Sequence, residues 1–106
     1  MLQESFSTAQ QDMAARALVE ARVDADRLVL ATRSALAADG HLLSAEDRAT
    51  IDGAIARLEQ TAREAGVAAQ VEAATEALAQ ATEGFAAERM NHSIQKALAG
   101  RNVETL

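Results

Sequence analysis

Residues 44–66 read SAEDRATIDGAIARLEQTAREAG, and the fold turns on this stretch. Ile51, Ala54, Ile55, Leu58, Ala62 and Ala65 recur at helical spacing and share one face of an α-helix. Ser44 stands where an N-cap belongs: its hydroxyl can accept from the amide of Asp47. Glu46 and Asp47 add negative charge at the positive helix start. Gly66 is expected to close the helix as a left-handed C-cap. The second helix is therefore placed at 44–65.

Working back toward the N-terminus, a long first helix is expected over 1–39, with room for a bend near residues 18–20. Leu2, Phe6, Ala9, Met13 and Ala17 form its early apolar stripe, at spacings of four, three, four and four. Beyond it, Leu18, Val19, Val23, Leu28, Val29 and Leu30 spread around more than one face, so this part must meet more than one surface. Gly40 is expected to cap it, with a short loop through His41 to Leu43.

Working forward, a third helix is expected over 67–99. Val71, Ala74, Leu78, Ala81 and Phe85 alternate three and four residues apart, as packed antiparallel helices do. After Phe85 the apolar positions shift to Met90, Ile94, Ala97 and Leu98. Either the helix bends near 86–90 or a final helix starts there. Residues 101–106 read as a tail. The expected architecture is all-α: a small antiparallel bundle of three to five helices behind a long first helix, in one domain.

Composition sets limits on function. Of 106 residues, 49% are hydrophobic but only 2% aromatic, and proline is absent. Roughly one position in four is alanine, a strong helix former that buries little area, so the core is thin. With no cysteine, disulfides and thiolate metal sites are excluded. A net charge of −6 with scattered basic residues argues against nucleic acid, and no run of 18 apolar residues suits a membrane.

The search for chemistry returns little. His41 and His92 share no helical metal-ligand spacing with another donor, so both are read as structural or solvent-exposed, and no metal site is expected. No phosphate loop occurs, and no pocket-forming acid–base set, so neither catalytic nor cofactor-binding residues are expected. Gly53 and Gly84, inside helices, read as points of close helix approach, with Gly84 a candidate bend. Asp12 with Arg16, Arg22 with Asp26 and Glu59 with Arg63 are spaced for surface pairs worth about 0.3–0.5 kcal/mol each.

The order of these features resembles a known family. The opening MLQESF at 1–6 and DMAARALVEAR at 12–22 resemble the C-terminal lid of the seventy-kilodalton heat-shock (DnaK-like) chaperones. Residues 43–59, LSAEDRATIDGAIARLE, are similar to the lid pattern L-x-x-x-D/E-x-x-x-I-x-x-A-hydrophobic-x-x-L-E. MLQESFS at 1–7, ARALVE at 15–20 and FAAERMNHSIQKALAG at 85–100 point to the iron–sulfur-biogenesis branch. The resemblance covers essentially the whole chain, and the order of the motifs is more specific than any one of them.

That resemblance implies a non-catalytic fragment of a bacterial, cytoplasmic chaperone whose ATPase domain and peptide-binding β-sandwich would precede Met1. ATP would be the cofactor of that domain, with none in the fragment. ATP binding would open the lid, and hydrolysis would close it over a peptide in the sandwich. Partners implied are the parent's own β-sandwich, an IscU-like scaffold as client, and a J-type co-chaperone. Arg22 and Asp26 match the family's R-x-x-x-D latch positions, while the histidine that follows four residues later in DnaK-like lids is Leu30 here. The pair is therefore either a latch or a plain surface pair.

The rival reading is a stand-alone helical adaptor docking into a partner's groove. The apolar opening favours the lid, because the stripe Leu2, Phe6, Ala9, Met13 and Ala17 has no cover within the chain. It would dock on the missing β-sandwich or on a second copy. In isolation the chain is expected to self-associate or swap its first helix. Sedimentation at micromolar concentration should show species larger than a monomer; a strict monomer with a straight first helix would count against the stripe.

Overall fold

The computed structural model describes the backbone of residues 2–105 and the side chains of residues 9–99. It is all-α: α1 (Leu2–Asp39), a 3-10 turn (Gly40–Leu42), α2 (Ala45–Glu64), α3 (Ala68–Ala81) and α4 (Glu83–Thr105). The first helix is uninterrupted through 18–20. Two tight connections reverse the chain, so α1, α2 and α3 run up, down and up as a three-helix bundle.

The bundle is held by a narrow seam. Ile51, Leu58, Val71 and Leu78 are fully enclosed, with Ile55 beside them and Ala21, Ala25, Val29 and Leu36 of α1 closing the layer. Burying a side chain of this size contributes about 1.5–3 kcal/mol, whereas the alanines around the seam chiefly allow the backbones to approach. Thr32, the one buried polar residue among those described, donates its hydroxyl to the Leu28 carbonyl at 2.7 Å. A buried hydroxyl thus keeps a partner without leaving its helix.

Three local readings need correction. Among the described residues no glycine has positive φ, so neither Gly40 nor Gly66 is a left-handed cap. Gly40 starts the 3-10 turn, and α2 ends on Ala65 in extended backbone whose amide bonds the Thr61 carbonyl. Gly53 and Gly84 are not points of close approach, since a Cβ at either would meet nothing within 4 Å. The last long helix divides at Thr82 and not near 86–90. The Thr82 hydroxyl donates to the Ala79 carbonyl at 2.9 Å, and its amide is shared between Leu78 and Ala79 at 3.1 and 3.3 Å. This tightened turn redirects the chain one residue before Glu83, and the helix then runs past Gly100 to Thr105.

The redirection brings Phe85 back under the bundle, where it is 4% exposed beside Ala31, Thr32 and Ala35 of α1. Further along α4, Met90, Ile94 and Leu98 stand exposed. The N-terminal part of α1 likewise leaves the bundle: residues 9–16 are all exposed. The molecule is therefore long, 79 × 29 × 17 Å, with a helix projecting from each end of a short bundle.

Replacing Leu78 by alanine is expected to cost about 2–5 kcal/mol, a large fraction of the stability of a domain this size. Val19→Ser on the outer face should stay within about 0.5 kcal/mol. Urea unfolding followed by circular dichroism at 222 nm checks both.

Candidate interaction surface

The two residues expected as a latch take different positions. Arg22 turns inward from α1 to the C-terminal end of α2, where its Nε donates to the Ala62 carbonyl at 2.7 Å and its Nη2 to the Ala65 carbonyl at 3.3 Å. The last carbonyls of a helix have no intrahelical donor and carry the negative end of its dipole. A guanidinium supplied from a neighbouring helix satisfies both needs. Asp26 instead is exposed and takes no hydrogen bond or ion pair among the described residues. It lines a shallow open groove with Arg22, Glu59, Ala62 and Arg63.

None of the three expected intrahelical pairs forms. Arg22 is drawn to α2, Glu59 accepts from Arg33 of α1 at 2.7 Å, and no ion pair joins Asp12 to Arg16. For Arg22 and Glu59, contacts between α1 and α2 take the place of those along one helix. Spacing along a single helix carries no signal of this.

The outer face of α1 is where apolar surface accumulates. Val19, Val23, Asp26 and Leu30 follow one another at four, three and four residues, on the side away from Ala21, Ala25 and Val29. Val19 is 57%, Val23 42% and Leu30 67% exposed, so Asp26 sits in an apolar strip. The crowd of apolar residues at 18–30 is thereby sorted: Leu18, Leu28 and Val29 pack inward, and the other three face out. Of the earlier stripe, Met13 and Ala9 are exposed and Ala17 half-buried, while the side chains of Leu2 and Phe6 lie outside the described residues.

A second cluster escapes any reading of spacing. Asp39 ends α1, His41 stands in the 3-10 turn, and His92 comes from α4, more than fifty residues away. The two imidazoles meet edge to face with centroids 5.9 Å apart. Arg89 donates from Nε to Asp39 Oδ2 at 2.8 Å and stands over the Phe85 ring at 5.8 Å. That hydrogen bond holds the Asp39 carboxyl below the usual carboxylate range against its partial desolvation, with smaller help from the charges of Arg89, His92 and His41. No helix among the described residues is long and apolar enough to cross a membrane.

The family model for Hsp70 protein matches residues 1–91. The chain is 65% identical over all its 106 residues to the chaperone protein HscA homolog of Verminephrobacter eiseniae. It is 63% identical to the homolog of Variovorax paradoxus and 62% to that of Delftia acidovorans, again over its full length. It spans 17% of the length of each of these relatives.

Arg22→Met, which keeps the stem and removes the donors, is expected to lower stability by about 1–3 kcal/mol by orphaning two carbonyls at the end of α2. Asp26→Asn should leave it unchanged within about 0.5 kcal/mol. Thermal unfolding of the two variants in parallel separates the residue that holds the bundle from the one that faces outward.

Proposed function

The chain belongs to the Hsp70 family, and on that premise we propose that it is the helical lid that closes over the peptide-binding β-sandwich of an HscA-type chaperone. The observation that carries this reading is the outer face of α1. Val19, Val23 and Leu30 stay exposed while Ala21, Ala25, Val29 and Leu36 on the other face of the helix are buried in the bundle. The three exposed residues surround Asp26, a carboxylate with no hydrogen bond or ion pair among the described residues. Leaving that much apolar area in water is unfavourable, and a surface that covers it gains roughly 25 cal/mol per Å². The docking side is thus separate from the side that builds the bundle.

In this reading the latch falls to Asp26 alone. Arg22 is committed to the Ala62 and Ala65 carbonyls and cannot leave them without cost to the end of α2. Leu30 stands where DnaK-like lids carry a histidine, so the contact to the sandwich is one charge flanked by apolar neighbours. Such a contact is held by exclusion of water around a single ion pair or hydrogen bond.

The nucleotide cycle belongs to domains outside this chain. ATP bound there would lift the lid, and hydrolysis, stimulated by a J-type co-chaperone, would close it on a client peptide. An IscU-like iron–sulfur scaffold is the client this branch of the family suggests. The chain has no catalytic role: it slows the departure of the peptide.

In the full-length parent, Asp26→Ala and Leu30→Ser are each expected to speed peptide release from the ADP state by about three- to tenfold, equivalent to roughly 1 kcal/mol of lid contact. Both residues are exposed, so folding should be unaffected, and far-ultraviolet circular dichroism verifies it. Release rates unchanged in both variants would reject this face as the docking side and return the chain to the free-standing adaptor.

A further inference from the structure

The corner where α4 passes the end of α1 gathers Asp39, His41 and His92, and their potential ligand atoms all lie within 4.8 Å of one another. We propose that this corner is a binding site for a divalent transition-metal ion of the zinc class, which ties α4 to the end of α1. Two imidazole nitrogens and one carboxylate oxygen form a borderline donor set suited to zinc, nickel or copper and poorly matched to magnesium or calcium. A tetrahedral zinc holds such donors at about 2.0–2.1 Å and so about 3.3–3.4 Å from each other. The cluster needs to contract by somewhat over 1 Å. Rotation of the side chains supplies that movement, because His41 is exposed and His92 and Asp39 only half-buried.

The three donors come from three elements, which distinguishes the corner from chance pairing along one helix. Asp39 is the last residue of α1, His41 lies on the 3-10 turn, and His92 is three residues beyond Arg89 on α4. Arg89 already reaches Asp39 Oδ2, so it brings His92 to the corner and also competes with a cation for the carboxylate. The carboxylate has a second oxygen, so one can remain with the guanidinium while the other turns to the ion. Three protein ligands leave a fourth position for water, and an open, partly neutralised site of this kind binds in the micromolar range or weaker.

A bound ion would matter for α4. Among the described residues Phe85 is the last buried one of α4, and from Ser93 to Ala99 the helix is exposed, so the direction of Met90, Ile94 and Leu98 depends on how α4 is held at the corner. Adding metal bonds from His92 to Asp39 and His41 would fix that direction. The inference does not rest on the lid reading, and either can fail without the other.

The chain has two histidines and no cysteine, so imidazole-dependent zinc binding can only arise here. Equilibrium dialysis of the untagged chain against zinc is expected to show one ion per molecule, with magnesium at the same concentration not retained. His41→Gln and His92→Gln should each weaken zinc binding at least tenfold, and Asp39→Asn severalfold. Zinc should raise the thermal midpoint of the wild-type chain and not that of His92→Gln, as expected for an ion that binds only the folded form. Zinc retained equally by both histidine variants, magnesium retained like zinc, or no zinc retained below millimolar concentration would each overturn the site.

Discussion

A bundle this rich in alanine depends on the seam where Ile51 and Leu58 of α2 meet Val71 and Leu78 of α3. Alanine lowers the cost of forming helices, but its single methyl returns little when buried, so the few large side chains bear most of the association. They occupy one line along the bundle, and α1 closes over it with small residues, Ala21 and Ala25, before Val29 and Leu36 complete the layer. Everything that projects from the molecule is positioned by that line. The outward face of α1 points where it does because the opposite face is committed to the seam. The path of α4 follows from Phe85 being drawn under the same layer.

Around the seam, polar groups do local work that burial cannot. Arg22 ends α2 from outside, Thr32 keeps its hydroxyl within its own helix, and Arg89 bridges Asp39 and the Phe85 ring. Arg33 with Glu59 is the more exposed kind of pair and contributes little, since both ends remain in water. The distinction separates residues that hold the bundle from those free to meet another surface. Arg22 belongs to the first group and Asp26 to the second, although four residues on one helix separate them.

Much of the fold was legible in the sequence, and the reason is periodicity. Ile51, Ile55 and Leu58 in α2, and Val71, Leu78 and Phe85 after it, bury as their spacing requires, because a single-faced pattern has one way to satisfy itself. The surplus of apolar residues at 18–30 also announced a second surface, though which of them would face out depended on packing. Less legible were the features set by one bond or one crossing. The turn at Gly40 is 3-10 without a left-handed residue, and the break falls at Thr82 because its hydroxyl and amide both turn back on the preceding carbonyls. Arg22 found carbonyls across an interface where spacing offered a carboxylate on its own helix. His41 and His92 are joined by tertiary structure alone, so no search along a helix could have paired them.

The projection of α1 has a mechanical consequence. From Ala9 to Ala17, where burial begins, the helix spans about 12 Å at 1.5 Å per residue. It behaves over that distance as a stiff arm pivoting where Leu18, Ala21 and Ala25 meet the bundle, and the two small side chains there resist tilt less than interlocked large ones would. A tilt of about 10° at this fulcrum carries the arm near Ala9 through roughly 2 Å, more than the radius of an atom. Small repacking at an alanine pivot is thereby amplified into a displacement large enough to make or break a contact at the far end.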